Sequence, residues 1–146
     1  MAVKFESAQA RKRLAELNYR LQTISSQGVA AKRQLREAIT NAAQPIADDA
    51  KRRIHSRSGD LAASIRPNRA VLHRGGGMTV TVSTHGKASR YAGPLEYGHA
   101  GGGGKNGNFG PAPAYPYMRP AFDDKKEEAY DMIVQGIVDL MNDLGI

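Results

Sequence analysis

The chain has 146 residues, of which 24% are charged, a formal net charge of +7 and no cysteine or tryptophan, enough for one domain but too little for two independent cores. The lack of cysteine excludes a disulfide framework and any thiolate metal site. No apolar run approaches the ~18 residues of a membrane span, and Met1-Ala-Val-Lys-Phe-Glu lacks the hydrophobic stretch of a signal peptide, so a soluble, unsecreted protein is expected.

From about Ser7 to Ile24 the residues Leu14, Leu17, Leu21 and Ile24 recur at spacings of three and four, which predicts a helix with a narrow apolar stripe. So thin a stripe suits a second helix or a neighbouring subunit, and Gly28 is placed to end the segment. A second helix is predicted from about Val29 to Ile54, with Leu35, Ile39, Ala42, Ile46, Ala50 and Ile54 along one face. Pro45 must kink it or start it afresh. Lys51, Arg52 and Arg53 fall in its last turn, where positive charge complements the helix dipole.

Ser58 or Asp60 can cap a short helical turn whose Leu61 and Ile65 point inward, and Pro67 ends it. Residues 69–73 and 78–84 read as strands, with Val80 and Val82 sharing a face and Arg74-Gly-Gly-Gly77 as the hairpin loop. A third strand is expected from Tyr91–Tyr97, closing one small antiparallel sheet.

The stretch from Tyr91 to Phe122 holds six of the nine aromatic residues and eight of the sixteen glycines. Residues 100–113 within it are mostly glycine, proline and alanine, with little to bury, so an exposed flexible loop is expected there. Pro120 suits a first helical position, followed by Asp123, Asp124, Glu127 and Glu128 near the positive end of the dipole. Phe122, Ala129, Ile133, Ile137, Leu140 and Leu144 then share a face widened by Tyr130, Val134 and Met141, the strongest amphipathic pattern in the chain. The expected fold class is α+β: N-terminal helices, a small antiparallel β-sheet and a long C-terminal amphipathic helix packed on it. A single domain, 1–146, is expected, with 1–28 as N-terminal helix and hinge, 29–146 as core and 100–113 as the loop.

Charge is divided unevenly, with +9 on residues 1–74 and −2 on residues 75–146. Arg11, Lys12, Arg13, Lys32, Arg33 and Arg36 could face DNA phosphates, or lie on solvated helix faces, or meet the acidic half of a neighbouring subunit. With 40% hydrophobic residues and three phenylalanines the core is lean, and oligomerisation would supply buried surface.

Catalytic and cofactor chemistry finds little footing. Gly102-Gly-Gly-Lys-Asn-Gly107 contains the spacing GxGxxG, but Asn-Phe-Gly-Pro follows where a nucleotide-binding helix must open, and Asn106 stands where a P-loop needs Ser or Thr. The four histidines have no HxxxH or HxH spacing, and neither Ser58 nor Ser64 sits in a nucleophile elbow. No cofactor, metal or catalytic group is expected. Glu96, the only carboxylate between Asp60 and Asp123, reads as an anchor for Arg90 or Arg119 rather than a general base. Tyr91, Tyr97, Tyr115 and Tyr117 read as core or interface anchors. Phe109, the one large apolar residue of the loop, reads as an insert for a neighbour's pocket or as part of a passive insertion.

Tyr91-Ala-x-x-Leu-Glu-Tyr-Gly98, a glycine-rich gap and Pro116-x-x-Arg-Pro-Ala-Phe122 resemble the neck protein family of long-tailed bacteriophages named after the tenth gene product of phage Hong Kong 97. Ala50-Lys-Arg-Arg-Ile54 and Ser58-Gly-Asp-Leu-Ala-Ala-Ser-Ile65 resemble the family's helix end and following turn, so the resemblance covers roughly residues 30–142. His99 departs from it, as does the long glycine-rich insertion. The resemblance implies a structural virion protein, made in the bacterial host cytoplasm, that forms a ring in the neck and takes part in head–tail joining. Six-fold symmetry is favoured over twelve-fold. Its implied partners are the head connector or stopper, the tail terminator and genomic DNA passing through the lumen without sequence recognition. The candidate interface comprises Leu14, Leu17, Leu21, Ile24, Tyr91, Glu96, Tyr97, Phe109, Tyr115, Tyr117 and Arg119. From the residues alone, a basic nucleic-acid-binding module is the rival reading.

Overall fold

The computed structural model describes residues 8–55, 59–74, 77–104 and 107–146, with the side chains of 103–109 outside it. The helices are α1 (Ala8–Ser25), α2 (Val29–Ala42), α3 (Gln44–Arg53), α4 (Asp60–Ser64), α5 (Ala92–Tyr97) and α6 (Met118–Leu144). The strands are β1 (Arg66–Pro67), β2 (Val71–Leu72), β3 (Met78–Thr79), β4 (Val82–Ser83), β5 (Gly102–Gly104) and β6 (Gly107–Phe109). The class is α+β, as the sequence predicts. In place of one sheet the described residues form three two-stranded antiparallel ladders, β1 with β4, β2 with β3 and β5 with β6.

Pro45 starts a new helix rather than kinking an old one. It occupies the first turn of α3, where the missing N–H has no intrahelical partner to lose. Gly28, at φ +112°, makes the turn between α1 and α2. The residue preceding α4 is Gly59, in a left-handed conformation with no side-chain cap, so Asp60 is a first-turn residue and not the cap. Ser58 lies outside the described residues. Pro120 is the third residue of α6, which begins at Met118.

The chain divides into two units. One comprises Met1–Ala42, Arg69–Val80 and Tyr130–Ile146. Its core is Leu21, Ile24, Ala31, Leu35, Ile39, Ala70, Ile137 and Leu140, flanked by Leu17, Met78, Val80 and Ile133. Ile24, Leu35 and Ile137 are fully buried. Helix α6 lies so close to α2 here that a Cβ on Gly136 would come within 3.3 Å of the Ala38 Cβ. The Thr40 hydroxyl accepts the Ala70 N–H at 2.9 Å and donates to the Arg36 carbonyl, tying the strand segment to α2.

The other unit comprises Ala43–Asn68 and Thr81–Ala129. Ile46, Ala50 and Ile54 of the predicted face, together with Ala47, meet Leu61, Ile65, Tyr117, Ala121 and Ala129 in its core. Asp49, buried on α3, accepts hydrogen bonds from Arg53 at 2.7 Å and Arg52 at 3.2 Å, and Arg53 also pairs with Asp124 of α6. The Arg53 hydrogen bond outweighs burial and holds the Asp49 carboxyl below the usual range. Arg52 and Arg53 are therefore engaged within the fold. The predicted strand over residues 78–84 does not run unbroken: pairing stops after Thr79, and the Asn68 amide binds the Thr81 and Ser83 hydroxyls at 2.8 and 2.9 Å. Side-chain bonds to Asn68 hold the break, and alternation alone does not encode it.

Candidate interaction surface

The aromatic stretch folds as helix and hairpin, not as strand and loop. A 3₁₀ turn over Lys87–Tyr91 runs directly into α5, so Tyr91–Tyr97 is helical. Pro94 is the third residue of α5, where it removes no helical hydrogen bond. Beyond Gly98 the chain leaves on an antiparallel stem in which His99 and Ala112 exchange both backbone hydrogen bonds, at 3.0 and 2.9 Å. With its ends thus adjacent, the glycine-rich segment pairs with itself, Gly102 opposite Phe109 and Gly104 opposite Gly107. The stretch expected as an exposed flexible loop thus contains a paired hairpin, with β5 on β6.

Glu96 fixes this arrangement. Its carboxylate is 8% exposed and accepts the backbone N–H groups of Tyr117 at 2.8 Å, Met118 at 2.9 Å and Arg119 at 3.0 Å. These donors open α6 and have no intrahelical acceptor. A residue 21 positions upstream of Tyr117 thus caps the last helix, and negative charge there also meets the positive end of the dipole. Burial alone would raise the Glu96 pKa; the three N–H groups and the Arg119 charge outweigh it and lower it. The anchor predicted for Glu96 is present, but it holds main chain, with Arg119 adding charge rather than a side-chain bond.

Gly98 completes the joint at φ +73°, and a Cβ there would lie 2.7 Å from the Ala114 nitrogen and 2.8 Å from the Ala112 oxygen. Gly98→Ala is expected to cost about 2–3 kcal/mol through strain and backbone collision. Gly110→Ala, with nothing within 4 Å, is the control. Thermal melting followed by circular dichroism reads the difference, and equal melting temperatures would show that the joint has room.

The predicted interface residues separate by burial. Leu21 and Ile24 lie in the core of the first unit, with Leu17 against it; they hold that unit together, and only Leu14 of the stripe is exposed. Tyr117, 2% exposed, is core, and burial followed by the Glu96 charge pushes its phenol above the usual range. Tyr91, Tyr97 and Tyr115 are exposed by 54%, 81% and 49%. The Arg90 guanidinium lies 4.7 Å from the Tyr91 ring centre, and Tyr115 meets His55 edge-on at 5.7 Å. Arg90, Tyr91 and His55 line a groove of about 1000 Å³ with Leu61, Leu95 and Pro113 among its walls. Arg119 is exposed, and the Phe109 side chain lies outside the described residues.

Of the basic candidates, Arg11, Lys12 and Arg13 are exposed on α1, Arg33 pairs with Glu37 at 3.6 Å, and Lys32 and Arg36 are half-buried. Among the described residues no group of three or more His, Cys, Asp or Glu could hold a metal, and no helix is long and apolar enough to cross a membrane. Sequence reasoning missed the Asp49–Arg53–Asp124 network and the close approach at Gly98. Asp49 falling among the apolar positions of α3 was the available signal for the first.

A family model described as "Bacteriophage HK97-gp10, putative tail-component" matches residues 15–98, more than half of the chain. The matched segment takes in Ala50–Ile65 and Tyr91–Gly98 and ends where the hairpin stem begins. No curated protein and no solved structure matches the chain.

Proposed function

The chain belongs to the HK97-gp10 family of bacteriophage tail components, and we propose on that basis that it is a non-catalytic neck protein forming a ring between head connector and tail. The observation that carries this reading, beside the family, is the exposure of Tyr91, Tyr97 and Tyr115 within one unit, on backbone held by Glu96 and the hairpin stem. Rigid aromatic side chains combining apolar area with a polar tip are the usual anchors of protein interfaces. In a ring they would meet the next subunit, the connector or stopper above, or the tail terminator below. A heterologous contact closes such a ring, with six copies favoured and twelve the alternative, and genomic DNA passes through the lumen unread.

Tyr97→Ala and replacement of residues 101–110 by a short Gly-Ser linker test the proposal in particle assembly. Both variants are expected to fold, since Tyr97 is surface-exposed and the stem lies outside the replaced segment. Each should lower the yield of joined particles by about 5-fold or more, as loss of an interface anchor worth more than about 1 kcal/mol implies. Phe109→Ala should reproduce part of the loss. Normal yields from both, or a monomer inside assembled particles, would remove the proposed role.

A further inference from the structure

The unit containing α1 and α2 carries a second cleft, of about 540 Å³, whose walls come from three separate segments. Lys32 and Arg36 enter it from α2, His73 and Arg74 from the β2–β3 hairpin, and Ser25 from the last turn of α1. No aspartate or glutamate is among the described residues that line it. Lys32 and Arg36 stand four residues apart on one helix, a like-charge spacing that weakens a helix unless something offsets it. Both are half-buried, and among the described residues the side chains of Lys32, Arg36 and Arg74 have no acidic partner. The nearest acid in sequence, Glu37, is engaged by Arg33. The Ser25 hydroxyl is enclosed with no hydrogen-bond partner, an uncommon condition for a buried polar atom.

Three cations without an acidic partner among the described residues, in a single cleft, match an anion that offers several acceptor oxygens. With no acidic residue among the described residues that line it and a formal charge of +7 on the whole chain, the cleft suits a polyanion. We propose that this cleft binds phosphate groups of a nucleic-acid backbone. Among the described residues no tyrosine or phenylalanine lines it, so the proposed contact is with phosphates and binding is independent of sequence. The inference stands apart from the neck assignment, because purified chain and duplex DNA are sufficient to test it.

The test is a fluorescence-anisotropy titration of the full chain with duplex DNA at about 50 and about 200 mM salt. The triple variant Lys32→Gln, Arg36→Gln, Arg74→Gln is expected to bind about 10-fold or more weakly at the lower salt and to lower the slope of log affinity against log salt by about 2–3. The variant Arg11→Gln, Lys12→Gln, Arg13→Gln removes the same charge from exposed positions of α1 and should stay within about 3-fold of wild type. Arg74→Gln alone, on the exposed hairpin, should lower the slope by about 1 and gives the reading should the triple variant not fold. Equal losses in the two triple variants would overturn the proposal. So would failure of the wild type to bind DNA while inorganic phosphate stabilises it, or a change in self-association with DNA affinity untouched.

Discussion

Glu96→Ala is expected to lower stability by about 3 kcal/mol, a substantial part of the 5–15 kcal/mol typical of a domain. The substitution leaves the N–H groups of Tyr117, Met118 and Arg119 without their acceptor and takes a charge from the positive end of α6. Glu96→Gln keeps one acceptor oxygen and should lose roughly half as much. The pKa of Glu96 is lowered in the folded chain, so its contribution is fully present above the unfolded value of about 4.3 and is lost as pH falls through the lower folded value. Urea unfolding between neutral pH and pH ~3 should therefore give a steeper acid decline for wild type than for Glu96→Gln. Asp49, also lowered, adds the same sign to both curves and cancels in their difference. Superposable curves would show that the carboxylate contributes nothing as a cap.

Ile137→Asp should unfold the unit in which it sits. Ile137 is fully buried among Leu35, Ile39 and Leu140, where a carboxylate without a partner costs several kcal/mol, beyond what one small core can absorb. Ile137→Ala provides a graded version at about 2–5 kcal/mol. Circular dichroism should show lost helicity for the aspartate variant and a lowered melting temperature for the alanine one. An unchanged melt in both would place this face of α6 outside the core.

The helices were legible because a 3.6-residue period is written in one segment at a time: Leu35, Ile39, Ala42 on α2 and Ile133, Ile137, Leu140 on α6 are read without knowing what they touch. The rest depends on contacts distant in sequence. Tyr91–Tyr97 is expected as a third strand, yet the chain continues a helical turn from Lys87 and ends it at Gly98. Glu96 attracts notice as an isolated carboxylate, but its partners are main-chain N–H groups that no side-chain pattern reveals. Leu21 and Ile24 carry an apolar stripe whose position is legible and whose partner is not; the chain's own core takes them. Likewise, the half-burial of Lys32 and Arg36 emerges only when the β2–β3 hairpin is brought beside α2.

The stem at His99 and Ala112, with the Tyr115 N–H on the Leu95 carbonyl at 2.7 Å, seals the chain before the hairpin proper begins. Unpaired chain added between the sealed ends, beyond the β5–β6 pairing, would cost mainly loop-closure entropy, which rises only logarithmically with length. Doubling the segment would cost about 0.6 kcal/mol, far less than loss of the Glu96 cap. The segment is thus a cassette whose length and composition can drift while its frame stays fixed, and the family match stops at Gly98, at its threshold. Related chains that dock on different neighbours should differ most in this cassette and least in the carboxylate, the left-handed glycine and the stem that hold its ends.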